Sequence, residues 1–127
     1  MFGSSEMYTA LNITDITSLL DTYASSPALF SDDLLPQDFG ADKKSINYYR
    51  VGLYDGGLEY SNYSYSINCR AKSKTESETI AQAVKDGINR TSYSDYFIVV
   101  NVLQTIPPID DTDSYNTPLE TTIKGRP

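Results

Sequence analysis

Leu58-Glu-Tyr-Ser-Asn-Tyr-Ser-Tyr-Ser-Ile-Asn-Cys-Arg-Ala71 decides the fold. From Ser61 on, Tyr63, Tyr65, Ile67, Cys69 and Ala71 fall on one side and Asn62, Ser64, Ser66, Asn68 and Arg70 on the other. That is the period-2 alternation of a half-buried strand, with β-forming residues on the apolar side. At about 3.3 Å per residue, fourteen residues span roughly 46 Å. A compact chain of this length is roughly 36 Å across. The strand therefore either bends at a bulge or overhangs its own domain, and an overhang would make it an assembly device.

Upstream, Ser45 to Leu53 reads as a second strand, joined to the first through Tyr54-Asp55-Gly56-Gly57. Asp-Gly and Gly-Gly are strong hairpin signals because a type I′ turn needs φ > 0 at both central residues. A two-residue turn at Asp55-Gly56 pairs Tyr48 with Tyr63. A turn at Gly56-Gly57 pairs Tyr48 with Tyr65. Both put Ile46 and Tyr48 on the apolar face of the long strand.

Downstream, Ser73/Glu76 and Thr75/Glu78 offer two frames of a capping box. The helix they open buries Ile80, Ala81, Val84 and Ile88, supported by Ala83 and Gly87, with Gln82, Lys85, Asp86 and Asn89 outward. Tyr96 to Ile106 is a third strand. Ile98, Val100 and Val102 line one face and Phe97, Val99 and Leu103 the other, which predicts a central strand covered on both sides. Tyr115 to Lys124 is a fourth, with Leu119, Thr121 and Ile123 inward and Pro118 implying an edge or a strand start.

Before the hairpin, residues 1–11 show no clear pattern and, with 125–127, are expected to be flexible. A helix capped by Asn12 or Thr14 carries Ile13, Ile16, Leu19, Leu20 and Tyr23 on one stripe and stops at Ser25-Ser26-Pro27. Ala28 to Lys44 is a connector anchored by Leu29, Phe30, Leu34, Leu35 and Phe39. The order α-β-β-α-β-β predicts one α+β domain over 1–127, a small, mostly antiparallel four-stranded sheet with two helices on one face.

The 127 residues include one cysteine, no histidine and no tryptophan, and carry a net charge of −7. One cysteine excludes an internal disulfide, and its place on the apolar strand face makes Cys69 a small buried hydrophobe. Lacking histidine, the chain is without the commonest general base and transition-metal ligand. The acidic balance argues against a phosphate-gripping nucleic-acid binder. An apolar run of membrane-spanning length and a signal peptide are both missing, so a soluble protein made in a cytoplasm is expected.

The chemical inventory is thin. Asp55-Gly56-Gly57 lacks the Lys-Ser/Thr of a phosphate loop. Asp32 and Asp33 are adjacent carboxylates without a partner. Counted from Asp111, the acidic stretch Asp110, Asp111 and Asp113 has Asn116 and Thr122 where a calcium loop needs Gly and Glu. Catalytic residues, metal ligands and cofactors are therefore not expected. Three surfaces remain as candidates: the hairpin tip (Tyr54, Asp55, Gly56, Gly57, Glu59), the polar strand face (Asn62, Ser64, Ser66, Asn68, Arg70) as a contact or channel lining, and the acidic loop (Asp110, Asp111, Asp113, Tyr115).

Tyr49-Arg50-Val51-Gly52-Leu53-Tyr54-Asp55-Gly56-Gly57 followed by Tyr65-Ser66-Ile67-Asn68-Cys69-Arg70-Ala71 resembles the tail terminator and tail-completion proteins of long-tailed bacteriophages. So do the helix from Glu76 to Arg90, Ile106-Pro107-Pro108-Ile109-Asp110, and Asp113-Ser114-Tyr115-Asn116-Thr117-Pro118. The resemblance spans roughly Leu11 to Lys124 and holds no chemical signature. It implies a non-enzymatic virion protein of the tail or neck, assembled in the host cytoplasm. Such a protein forms a ring, commonly a hexamer, on the last ring of the tail tube, stops its polymerisation and offers a surface to the head-completion or connector protein. DNA would pass through without specific binding, and six copies at −7 would carry about −42. Two other readings fit the same residues: another neck or head-completion protein, and a small α+β enzyme or ligand-binding domain built on the tyrosine-rich hairpin.

Overall fold

The computed structural model describes residues 3–31, 39–40, 43–55, 61–93, 96–109 and 114–125. Its elements are α1 (Ser4–Leu11), α2 (Thr14–Thr17), β1 (Thr22–Tyr23), β2 (Ser26–Pro27), β3 (Leu29–Ser31), β4 (Ser45–Asp55), β5 (Ser61–Ala71), α3 (Lys74–Ile88), β6 (Thr91–Tyr93), β7 (Tyr96–Val102) and β8 (Tyr115–Gly125). The main sheet has six strands in the order β3-β4-β5-β8-β7-β6, with β3 parallel to β4 and the other neighbours antiparallel. The fold is α+β with a mixed sheet that is antiparallel except at β3–β4, so the predicted four strands are corrected to six. The two additional strands are three-residue edges, too short to leave a period-2 signature.

β5 lies at the centre. Tyr63, Tyr65, Ile67, Cys69 and Ala71 are all buried, and across the ladder they meet Ile123, Thr121, Leu119, Thr117 and Tyr115 of β8. α3 crosses this face, burying Ile80, Ala81, Val84 and Ile88 against β5, β8 and β7. The capping frame used is the earlier one: the Ser73 hydroxyl accepts from the Glu76 N–H at 3.2 Å and donates to the Glu76 carboxylate at 2.9 Å.

The hairpin forms, but its register differs from both predicted registers. Tyr48 pairs with Ile67 and Ile46 with Cys69, while Asp55 pairs with Ser61. Two physical features shift it: the pairing of Asp55 with Ser61 is incompatible with a two-residue turn at 55–56 or 56–57, and the ladder slips by one at a bulge between Arg50 and Gly52. Over its described length β5 is paired on both sides, from Ser61 against Asp55 and Gly125 to Ala71 against Tyr115. The described part of this strand therefore does not overhang its sheet, while the expected tip, residues 56–60, lies outside the described residues.

The N-terminal segment is corrected as well. α1 buries Met7 and Leu11 completely, an i, i+4 pair that packs into the core with α3. The next helix is one turn rather than three. Thr17 bonds back to the Ile13 carbonyl, and Asp21 then leaves the helix to bind Lys44, accepting its N–H at 2.7 Å. Tyr23 and Ser26 close a small hairpin through Ala24 and Ser25, at φ 51° and 69°, the positive angles of a type I′ turn. Within the expected connector, Leu29 and Phe39 are buried while residues 29–31 form β3. Leu34 and Leu35 lie outside the described residues.

β8 is not an edge strand, despite Pro118. A strand residue points its N and its carbonyl to the same side. The Pro118 carbonyl accepts from the Leu103 N–H at 2.9 Å, so the proline nitrogen also faces the flank where regular β7 pairing has just ended at Val102. The missing donor costs no ladder bond there. β7 in turn is not covered on both faces: Ile98 and Val100 are buried, whereas Phe97 is exposed. Its flank is closed by β6 as far as Ile98, and then by Asn89, whose side-chain carbonyl accepts the Val100 N–H at 2.8 Å. Asn89, expected to face outward, thus serves as one more rung of the edge.

Candidate interaction surface

The helices cover one face of the sheet; the other is open over β7, β8 and the Asn62–Ser66 part of β5, and buried at its β4 end, where Ser45, Asn47 and Asn68 are buried. Register assigns to the open face Asn62, Ser64, Ser66, Asn68 and Arg70 of β5, and Asn116, Pro118, Glu120, Thr122 and Lys124 of β8. Phe97, Val99 and Asn101 of β7 continue it on one side, Asn47 and Tyr49 of β4 on the other. All five candidate residues of the polar strand face therefore fall on one side of the sheet, four of them partly exposed and Asn68 buried.

Side-chain bonds cross-link this surface between strands. Asn116 donates to the Asn68 side chain at 3.0 Å, and the Arg70 Nε donates to Asn47 Oδ1 at 3.0 Å. The second bond holds the guanidinium against the sheet rather than in solvent. The charged side chains that register places on β4, β5, β7 and β8 of this face are Arg70, Glu120 and Lys124, a sum of +1 on a chain of −7. The acidity lies elsewhere. One corner carries aromatic packing: Tyr23, Phe30 and Phe39 meet edge to face at 5.2–6.0 Å, with Phe30 beside Asn47 in register.

Of the hairpin-tip candidates, the backbone of Tyr54 and Asp55 ends β4, opposite Asn62 and Ser61. Gly56, Gly57 and Glu59 lie outside the described residues, as do Asp110, Asp111 and Asp113. Tyr115 is half-buried and opens β8 opposite Ala71.

A second exposed feature was not read from the sequence. Val102, Leu103, Ile106 and Ile109 are exposed, Ile109 at 92%. They lie on an extended arm that continues β7: Ile106 and Asn116 exchange backbone bonds at 2.7 and 3.0 Å, and Thr105 bonds Thr117 at 2.8 Å and Glu78 at 3.1 Å. The signal for it was present, since residues 101–109 hold no charge and end in Pro107-Pro108-Ile109.

Among the described residues there is no group of three or more His, Cys, Asp or Glu side chains placed to hold a metal ion. Two buried groups have shifted pKa values. Burial pushes the Cys69 thiol far up, and it raises the Tyr65 phenol against the opposing pull of Arg50. Both shifts keep a neutral group neutral in the core, so neither group is primed as a nucleophile. Among the described residues, no helix is long and apolar enough to cross a membrane.

Among solved structures, the chain is similar to one from the virion of a native gene transfer agent (GTA) particle. The two share 12% identity at a TM-score of 0.62, over 94% of this chain and 91% of that one. The likeness is one of fold. No protein-family model and no curated protein matches the chain.

Proposed function

We propose that this is a structural virion protein acting without catalysis. Its copies form a ring, a hexamer, at the head-proximal end of a phage-type tail tube. The ring ends tube polymerisation and offers the surface to which a head-completion or connector protein joins. The observation that carries the reading is the near end-to-end match of fold with a chain of a phage-like particle. Three further features support it. The segments around Tyr49–Gly57 and Tyr65–Ala71 resemble tail terminators. The open sheet face is almost uncharged and mixes small polar side chains with Tyr49, Phe97 and Val99, as suits a protein contact. The acidic chain would let DNA slide past a ring without gripping it.

The test is to add the purified protein to tail tubes during assembly and to image the products. Tubes of fixed length, each capped at one end by a ring, are expected. A protein that stays monomeric, binds no tube protein and leaves tube length unregulated would overturn the reading. Immunogold labelling of particles separates this position from a head-completion role, because label at the portal with none on isolated tails would move the protein to the head side.

A further inference from the structure

One end of the sheet face turned away from the helices gathers polar groups that the chain leaves unsatisfied. Ser45, Arg70 and Asn116 stand in one row across β4, β5 and β8, with Arg70 in the middle. Ser45 is fully buried and its hydroxyl has no hydrogen-bond partner; the Asn116 Oδ1 is buried without one as well. Two of the three buried, unpartnered side-chain atoms among the described residues thus fall in this row. Arg70 is half-buried, with its Nε fixed on Asn47 Oδ1. Its terminal nitrogens, which carry the remaining N–H donors of the fork, have no partner among the described residues. Arg70 is therefore a positioned cation without a counter-charge. The next charge on this face along the same strands is Glu120, opposite Ser66 and so about 13 Å along β5.

The chemistry of the row selects its ligand. A guanidinium only donates and stays charged, so it repels a metal cation and calls for an acceptor. A carboxylate is flat, and its two oxygens match two parallel N–H bonds of the fork. Ser45 can donate its hydroxyl to the same anion. Asn116 can do so too: its Nδ2 donates to Asn68 Oδ1, and turning both amides over together keeps that bond and puts N–H where Oδ1 lies. A phosphate group, carrying nearly two charges, would meet a single cation here, so charge also favours the carboxylate. The carrier follows from the energetics. A free carboxylate gains little from one half-exposed cation in water. Borne by a protein that covers the row, the same pair is shielded from solvent and strengthened. The row lies where the buried β4 end of this face meets its open part, within reach of such a contact.

We infer that Arg70, between Ser45 and Asn116, receives an Asp or Glu side chain of the protein that joins this face. The inference rests on the virion reading above and names the chemistry of its joining surface. The first arm of the test needs neither a variant nor a partner. The full chain is titrated with sodium acetate against sodium chloride at equal ionic strength, and the arginine side-chain N–H signals are followed by NMR. Acetate should move the Arg70 Nε–H signal saturably, while the exposed Arg50 and Arg90 respond alike to both salts. Ser45→Ala, which leaves the charge in place, should weaken the acetate response about threefold to tenfold. The second arm is tube capping. Arg70→Gln, shown to be folded by urea denaturation, should cap tail tubes or bind the head-side protein about tenfold to a hundredfold more weakly. Arg70→Lys should not restore it, because an ammonium lacks the fork. An Arg70 signal no more sensitive to acetate than those of Arg50 and Arg90 would overturn the site. Acetate binding with normal assembly by Arg70→Gln would overturn the partner and leave a site for free carboxylates only. If acetate binds but wild type caps no tubes and meets no head-side protein, the site stands and the virion reading fails.

Discussion

The two faces of the sheet are made by the same strands, one residue apart, yet they obey different physics. On the covered face, side chains interlock at the density of a solid: Ile67 and Leu119 are fully buried directly opposite each other, beneath Ile80 and Val84 of α3. On the open face, Ser66 opposes Glu120 and Ser64 opposes Thr122, all small or polar and at least partly exposed, so solvent competes for these contacts. Stability should therefore reside on one face, leaving the other free to be spent on recognition. The largest expected effect breaks this comparison directly. Ile67→Ala should cost about 2–5 kcal/mol in urea denaturation, while Ser66→Ala should stay within about 0.5 kcal/mol. If Ser66→Ala costs as much as Ile67→Ala in the isolated monomer, the open face is part of the fold and not a free surface.

Next in size is the upper end of the covered face, where the packing is aromatic. Tyr96 pairs with Gly125, and its ring lies so close over the glycine that an added Cβ would fall inside it. Tyr63 meets the same ring edge to face at 6.1 Å. Gly125→Ala must displace that ring and should cost about 1–3 kcal/mol. The adjacent Lys124→Ala, on the exposed side of the same strand, should cost almost nothing. Equal melting temperatures for the two variants would show that the ring can move aside freely.

How much of this contrast was legible in the sequence follows from how local each signal is. The inward set of β5 and the buried stripe Ile80, Ala81, Val84 and Ile88 of α3 stand as expected, since periodicity over ten or more residues fixes which face is buried. α1 was missed because an eight-residue helix with two fully buried side chains, Met7 and Leu11, gives one i, i+4 coincidence and no stripe. β3 was missed because three residues pairing in parallel with a strand that starts at Ser45 leave no local trace. The hairpin register was misjudged because a bulge at Val51 is invisible to an alternation test. The central place of β8 hid behind Pro118, whose tolerance depends on Leu103 reaching it from across the sheet. For the candidate surface, the β5 residues were legible by alternation, but Asn47, Asn116 and Phe97 join them only through strand order, which is non-local. The exposed arm could have been found as an uncharged apolar run ending in a proline pair.

Alkaline pH probes the covered face through the acids buried in it. Cys69 lies on that face with its thiol pKa raised from 9.0 by burial, and Tyr65 lies on the same face beyond Ile67, raised from 10.0. In each case the folded state holds the proton more tightly than the unfolded state. The stabilisation is fully present below the unfolded value and is lost as pH rises through and beyond it. Stability should be level to about pH 9 and then fall, with Cys69 contributing a slope of up to about 1.4 kcal/mol per pH unit. Cys69→Ala should start lower, lose that part of the slope and so cross towards wild type at high pH. In the native protein the thiol should resist alkylation at pH 8, with modification tracking global unfolding. Rapid labelling under native conditions would mean that the covered face opens locally.

The smallest effect comes from two adjacent threonines, and it has the opposite sign. Thr121 and Thr122 are the same residue type on the same strand, one facing Tyr65 and Val100 beneath the helices, the other facing Ser64 and Val99 on the open side. The Thr121 hydroxyl is fully buried without a hydrogen-bond partner. A hydroxyl removed from water and left unpaired costs free energy, which its methyl-bearing isostere does not. Thr121→Val should therefore raise stability by about 1 kcal/mol. Thr122→Val should leave the monomer within about 0.5 kcal/mol, because its hydroxyl is half-exposed and exchanges with water. The pair discriminates between two accounts of the sheet. If burial alone separates the faces, only Thr121→Val stabilises; if a buried water or an unrecognised partner serves that hydroxyl, Thr121→Val destabilises instead.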